Sequence, residues 1–302
     1  MKKLSTFVFA LLMVCVFTLA ATAASPAQGC SIRTTQDIVN NEGVLVIPKN
    51  TKVKVVDETT EAFVVEYNDN QYLVSFQASL INIKEFIPSI DCWLDMAQPA
   101  NMFSMANEQI AGLTDRQFYH NAGSSNGTEA WLRYEVAQKL KSAQEAFLAD
   151  GYSIIIYDAY RPYTCTKEFQ SAYRNYLNSK TNDFKRQWFG SLGESWFLAQ
   201  KASSHNYGIA VDMGLKRVSD GYVLPMPSAI HTLDIRSAYV SWVNADSESA
   251  ENARYLKDKM ESCGFTYLKS EWWHFQDNTV QKGAVIDICL LYTSDAADDL
   301  TR

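Results

Sequence analysis

Between residues 44 and 75, short apolar runs alternate with polar breaks. Val44-Leu45-Val46-Ile47, Lys52-Val53-Lys54-Val55-Val56, Ala62-Phe63-Val64-Val65-Glu66-Tyr67 and Gln71-Tyr72-Leu73-Val74-Ser75 are rich in β-branched and aromatic side chains. Pro48-Lys49-Asn50, Asp57-Glu58-Thr59 and Asn68-Asp69-Asn70 punctuate them. Strands this short, separated by turn residues, predict a small all-β barrel or sandwich over residues 34–84. Past residue 87 the period changes. Leu132, Val136, Leu140, Ala143 and Phe147 recur at steps of four and three, the apolar stripe of a helix. Thr128 is placed to cap that helix, which runs to Leu148 and closes at Asp150-Gly151. Residues 152–157 read as a buried strand, and further helices are expected over 167–177 and 250–262. Interleaved helices and strands predict an α+β domain over residues 87–288 with a small central sheet.

The two ends of the chain read differently from its body. Lys2 and Lys3, an apolar run over residues 7–19 and Ala21-Thr22-Ala23 have the pattern of an export signal, expected over residues 1–23. The run is short for a membrane span, and no second stretch is apolar enough to cross a bilayer. Residues 289–302 begin with a string, Cys289-Leu290-Leu291-Tyr292-Thr293-Ser294-Asp295, that resembles a translated sequencing adaptor, so they are expected to be an artefact. Between the ends lie Cys30, Cys92, Cys165 and Cys263, an even number that permits two disulfides in an exported chain. The net charge is −7, and the absence of a basic tract argues against nucleic acid as a partner.

Chemistry concentrates in three blocks. In Ser203-Ser204-His205-Asn206-Tyr207-Gly208-Ile209-Ala210-Val211-Asp212, strand alternation puts Ala210 and Asp212 on one face and Ile209, Val211 and Met213 on the other. A carboxylate on so apolar a strand needs a partner, and a metal ion would be one. Gly208 lets the backbone turn so that His205 folds back toward Asp212. Glu271-Trp272-Trp273-His274-Phe275 favours extended structure, with Glu271 in a loop or bulge entering the strand that carries His274. Two imidazoles, one ligating carboxylate and a spare acid make up a catalytic zinc site with an open coordination position. The plainer alternative is a satisfied core histidine, an ion-paired aspartate and a surface glutamate. Tyr157-Asp158-Ala159-Tyr160-Arg161-Pro162 follows directly on the buried strand. Arg161 offers a planar fork of donors suited to an oxyanion, with Asp158 orienting it; the alternative is a structural ion pair. His120 and His231, the remaining two of four histidines, have no ligand neighbour at useful spacing and read as structural.

In this order the three blocks resemble the zinc D-alanyl-D-alanine dipeptidases and their D,D-carboxypeptidase relatives, and "DAYRP" leans toward the dipeptidases. The resemblance implies one Zn2+ per chain on His205, Asp212 and His274, with Glu271 as general base. It implies Arg161 as stabiliser of the tetrahedral intermediate, with Ser203 and Asp158 on the substrate side. It also implies a small antiparallel central sheet flanked by helices. The substrate would be the D-Ala-D-Ala dipeptide or a peptidoglycan stem peptide, in a secreted or envelope-associated bacterial enzyme. The non-catalytic alternative is a wall-binding zinc protein. Residues 93–104 depart from the dipeptidase pattern, which leaves substrate size open; the resemblance would also bring His231 near the pocket, although a structural role is the reading preferred for it. The run from Val46 to Ser75 resembles a bacterial SH3-like domain, implying cell-wall glycan as a further partner; the alternative is a β-rich N-terminal extension of the catalytic domain with no ligand.

Overall fold

One helix, Tyr134–Ala149, joins the two halves of the structure, a computed structural model that describes residues 24–93, 103–110 and 129–288. Val136, Leu140, Ala143 and Phe147 form its fully buried stripe. At its N-terminal end the Tyr134 ring packs against Phe63, Phe76 and Phe86, with centroids 4.8, 4.8 and 5.5 Å away. Further along, Gln144 accepts a hydrogen bond from the Ile154 N–H at 2.9 Å and donates to Ser153 Oγ at 2.9 Å. The helix thus serves an N-terminal sheet and a central sheet at once. It starts later than expected, after Arg133, because Leu132 is drawn into a strand, Trp131–Leu132. Thr128, the expected cap, lies outside the described residues. So do His120, most of the 93–104 stretch, the expected signal at 1–23 and the expected artefact at 289–302.

The N-terminal strands form, but the SH3-like barrel does not. Six strands pair antiparallel in the order Trp131–Leu132, Ser79–Asn82, Ser31–Thr34, Lys52–Glu58, Ala62–Tyr67 and Asn70–Ser75. The first and last strands of this row do not pair, so the sheet is open. One edge strand comes from the segment that enters the helix, and apolar residues of both halves share one core. Short runs between turns specify hairpins; closure depends on a long-range pairing that no local pattern encodes. The glycan-binding role expected of the barrel loses its support with it.

The central sheet runs Thr266–Tyr267, His274–Gln276, Ala210–Arg217, Tyr152–Asp158 and Asp91–Cys92. It is mixed rather than antiparallel, since Asp91–Cys92 lies parallel to Tyr152–Asp158 with Ile155 opposite Asp91. A parallel neighbour needs a long crossover, and the helix Tyr134–Ala149 lies within that connection. The helices Tyr163–Asn178 and Glu248–Ser262 cover the spans expected at 167–177 and 250–262, the first longer at both ends and the second at its start. Among the described residues, Cys30, Cys92 and Cys263 form no disulfide. Among the described residues, no helix is long and apolar enough to cross a membrane.

Candidate active site

Strand register brings the polar side chains together. Asp212 lies opposite His274 on one neighbouring strand and opposite Asp158 on the other. Opposed residues share a sheet face, and an irregularity between Ile156 and Asp158 re-aims the latter. His205 arrives from outside the sheet. Ser203 caps the short turn Ser204–Tyr207, its hydroxyl accepting the His205 N–H at 3.3 Å, while Asn206 Oδ1 accepts the Ser203 N–H at 2.7 Å. Asn206 Nδ2 donates to the Arg161 carbonyl at 2.7 Å and to Thr166 Oγ1 at 2.8 Å, binding this turn to the Arg161 segment. Gly208 follows at φ +67°, where a Cβ would lie 2.6 Å from Leu80 Cδ2. Both the left-handed backbone and the close neighbour require glycine there.

His205 Nε2, His274 Nδ1 and Asp212 Oδ1 form a compact triangle. The two nitrogens are 3.1 Å apart, and Asp212 Oδ1 lies 3.2 Å from His205 Nε2 and 2.9 Å from His274 Nδ1. Ligand atoms at about 2.0 Å from a tetrahedral zinc stand about 3.3 Å apart, so the triangle accepts that ion with little adjustment. Hydrogen bonds behind the triangle select the inward-facing atoms. The Ala159 carbonyl can only accept, so His205 Nδ1 carries the proton that reaches it at 2.6 Å, and Nε2 keeps its lone pair. Gln276 Oε1 lies 3.3 Å from His274 Nε2 and Ser204 Oγ 3.1 Å from it, which leaves Nδ1 for the ion. His205, Asp212 and His274 are all buried and together suit one Zn2+. Burial alone would raise the Asp212 carboxyl. The imidazoles of His205, His231 and His274 around it outweigh this and hold the group well below the usual carboxylate range.

A cleft of about 370 Å³ opens over the triangle, lined among others by Arg161, Ser203, Glu271 and Lys282. Glu271 stands in the turn before the strand His274–Gln276: its N–H donates to the Leu268 carbonyl at 3.1 Å, and its own carbonyl accepts the His274 N–H at 3.2 Å. Its carboxyl is pushed up to about 7, chiefly by burial among the cleft walls and further by the Asp212 charge, against the opposing pull of His274 and Arg161. Arg161 reaches the cleft with its guanidinium 5.6 Å from the Phe103 ring and its Nε 3.2 Å from Asp158 Oδ2. Asp158 is fully buried behind it, 3.8 Å from His205 Nδ1, rather than on the cleft wall. Three contributors escaped the sequence reading. Ser204 and Asn206 lie inside the motif already singled out, and their small polar side chains beside a capping serine were a usable signal. His231, whose Nε2 lies 3.2 Å from Asp212 Oδ2, had no such local sign.

Comparison with known proteins places this geometry in company. The sequence model described as D-ala-D-ala dipeptidase matches residues 114–287. A D-alanyl-D-alanine dipeptidase of Enterococcus faecium is 30% identical over 146 residues, covering 47% of this chain and 70% of the relative. A second, from Enterococcus faecalis, is 29% identical over 145 residues with the same two coverages, 47% and 70%. The solved structure of VanYB in complex with D-Alanine-D-Alanine aligns at 18% identity over 60% of this chain and 87% of that one, with a TM-score of 0.32.

Proposed function

The chain belongs to the D-ala-D-ala dipeptidase family, and from that premise we propose that Glu271, Arg161 and Ser203 carry out the hydrolysis of D-Ala-D-Ala as a free dipeptide. The protein is a zinc metallopeptidase for D-Ala-D-Ala-type peptide bonds, and the His205–Asp212–His274 triangle is the observation that carries this reading. Bound there, zinc supplies Lewis acidity and lowers the pKa of water to about 7. Glu271 takes the proton from the attacking water and returns it to the leaving amine, a role that its place on the cleft wall supports. Arg161 donates to the carbonyl oxygen as it gains negative charge; one such donor is typically worth about 3–4 kcal/mol of transition-state stabilisation. Asp158 holds the guanidinium from behind, through the 3.2 Å ion pair. Ser203, at the cleft and at the head of the His205 turn, positions the substrate. Action outside the cytoplasm is part of the proposal, and the basic–apolar–small pattern over residues 1–23 supports it.

Two measurements test the reading. Zinc-loaded enzyme should release D-Ala from D-Ala-D-Ala faster than from a pentapeptide stem; the reverse order makes it a carboxypeptidase, and release from neither ends the proposal. Glu271→Ala should keep one zinc per chain while kcat drops by about 10²–10⁴-fold, the usual share of a general base. His274→Ala should lose both metal and turnover, and stoichiometric zinc in that variant would contradict the ligand set.

A further inference from the structure

We propose that His231 is a positioning residue for the metal site: its Nε2–H holds Asp212 Oδ2 so that Oδ1 alone faces the ion. The inference rests on the zinc reading above and adds a residue to it. His231 is fully buried, and its Nε2 lies 3.2 Å from Asp212 Oδ2, on the opposite oxygen from the one that meets His205 and His274. A carboxylate only accepts, so the proton of that bond sits on the imidazole Nε2. Nδ1 is buried with no hydrogen-bond partner among the described residues. A proton there would be a buried donor with nothing to receive it, so the same tautomer is selected from both ends of the ring.

The surroundings leave the ring little freedom to do anything else. It stacks on Phe103 at 4.6 Å and 15°, and meets Trp273 edge-on at 5.7 Å and 88°. The backbone at His231 is left-handed, φ +59°, an uncommon state for a residue with a side chain. Its loop is pinned to Ser104, whose N–H donates to the His231 carbonyl at 3.1 Å and whose carbonyl accepts the Leu233 N–H at 2.8 Å. Asp234 fastens the far side, accepting from the Ala106 N–H at 3.0 Å and from Arg236 Nε at 2.8 Å. Each of the other two ligands also has an outer hydrogen bond that sets its orientation, from His205 to Ala159 and from His274 to Ser204 and Gln276. His231 completes that set for Asp212.

The test compares His231→Leu, which fills space without a donor, with His231→Gln, which restores an N–H near the same place. By competition against a chelator, Leu should weaken zinc binding by about 10–100-fold and Gln should return it to within a few-fold of wild type. Equal weakening by both, or none by Leu, overturns the proposal. Should the Leu variant fail to fold, the wild-type protein decides. Its imidazole ¹⁵N spectrum, with the His231 signal assigned by its loss in His231→Gln, should show the Nε2–H tautomer, and an Nδ1–H tautomer overturns the inference. Failure of the zinc reading itself is separately visible, as wild-type protein that binds no zinc.

Discussion

Glu271 shows how much of the chemistry rests on placement. The same acid on an open surface would titrate near its ordinary 4.5; on the cleft wall, burial first and the Asp212 charge second carry it to about 7, while His274 and Arg161 pull the other way. A bound divalent cation adds to that downward pull. A general base works only when deprotonated, so activity must fall as pH drops through its pKa. The acidic limb of kcat/KM should therefore lie below about 7. In Arg161→Lys, which weakens the opposing charge geometry, that limb should move upward. A pH–rate profile with no limb in that range would remove Glu271 from the role. The residue types were legible from the start, because zinc chemistry needs imidazole and carboxylate and the three blocks supplied them. Asp158 was less so: its partnership with Arg161 is visible in the sequence, but its burial behind the cleft is not.

At the scale of elements, the site is a junction of strands and turns held by side chains. Asn206 bonds the His205 turn to the Arg161 segment, and Asp277, just past the strand that carries His274, bonds that strand to the long helix. The Asp277 carboxylate is buried, 2.5 Å from Lys139 Nζ, and also accepts from Thr279 N–H at 2.9 Å. Burial alone would raise its carboxyl; hydrogen bonds from Lys139 and Thr279 outweigh this and lower it below 3.8. A group with a depressed folded-state pKa stabilises above the unfolded value, and that contribution is lost as pH falls through the folded one. Asp277→Asn should thus cost about 1.5–3 kcal/mol at pH 7, the worth of a charge-assisted hydrogen bond, and less near pH 3. Urea unfolding of both proteins at the two pH values measures it; an equal deficit at both would show that charge is not the cause. Periodicity predicted the helices well, since Val136, Leu140, Ala143 and Phe147 do face the core. It could not predict where the first helix starts, because Leu132 suits a strand edge as well as a helical stripe.

For the molecule as a whole, the N-terminal sheet packs against the peptidase half and shares a core with it. Trp131–Leu132 pairs with Ser79–Asn82, Tyr134 packs among Phe63, Phe76 and Phe86, and Leu80 lies against Gly208 of the metal-binding turn. A chain starting at residue 87 should therefore lose cooperative thermal unfolding and zinc binding together, as followed by circular dichroism and metal content. A truncated protein that melts like the full chain would show the two parts to be independent. The sequence by itself determined the metal ligands, the turn that carries His205 and the alternation of helices and strands, because these depend on residue type and short-range spacing. Only the tertiary structure decided that the first sheet stays open, that Asp91–Cys92 joins the second one in parallel, and that His231 reaches Asp212. Those outcomes turn on which distant segments meet, and side-chain pattern records what a segment can bury without naming the segment it buries against.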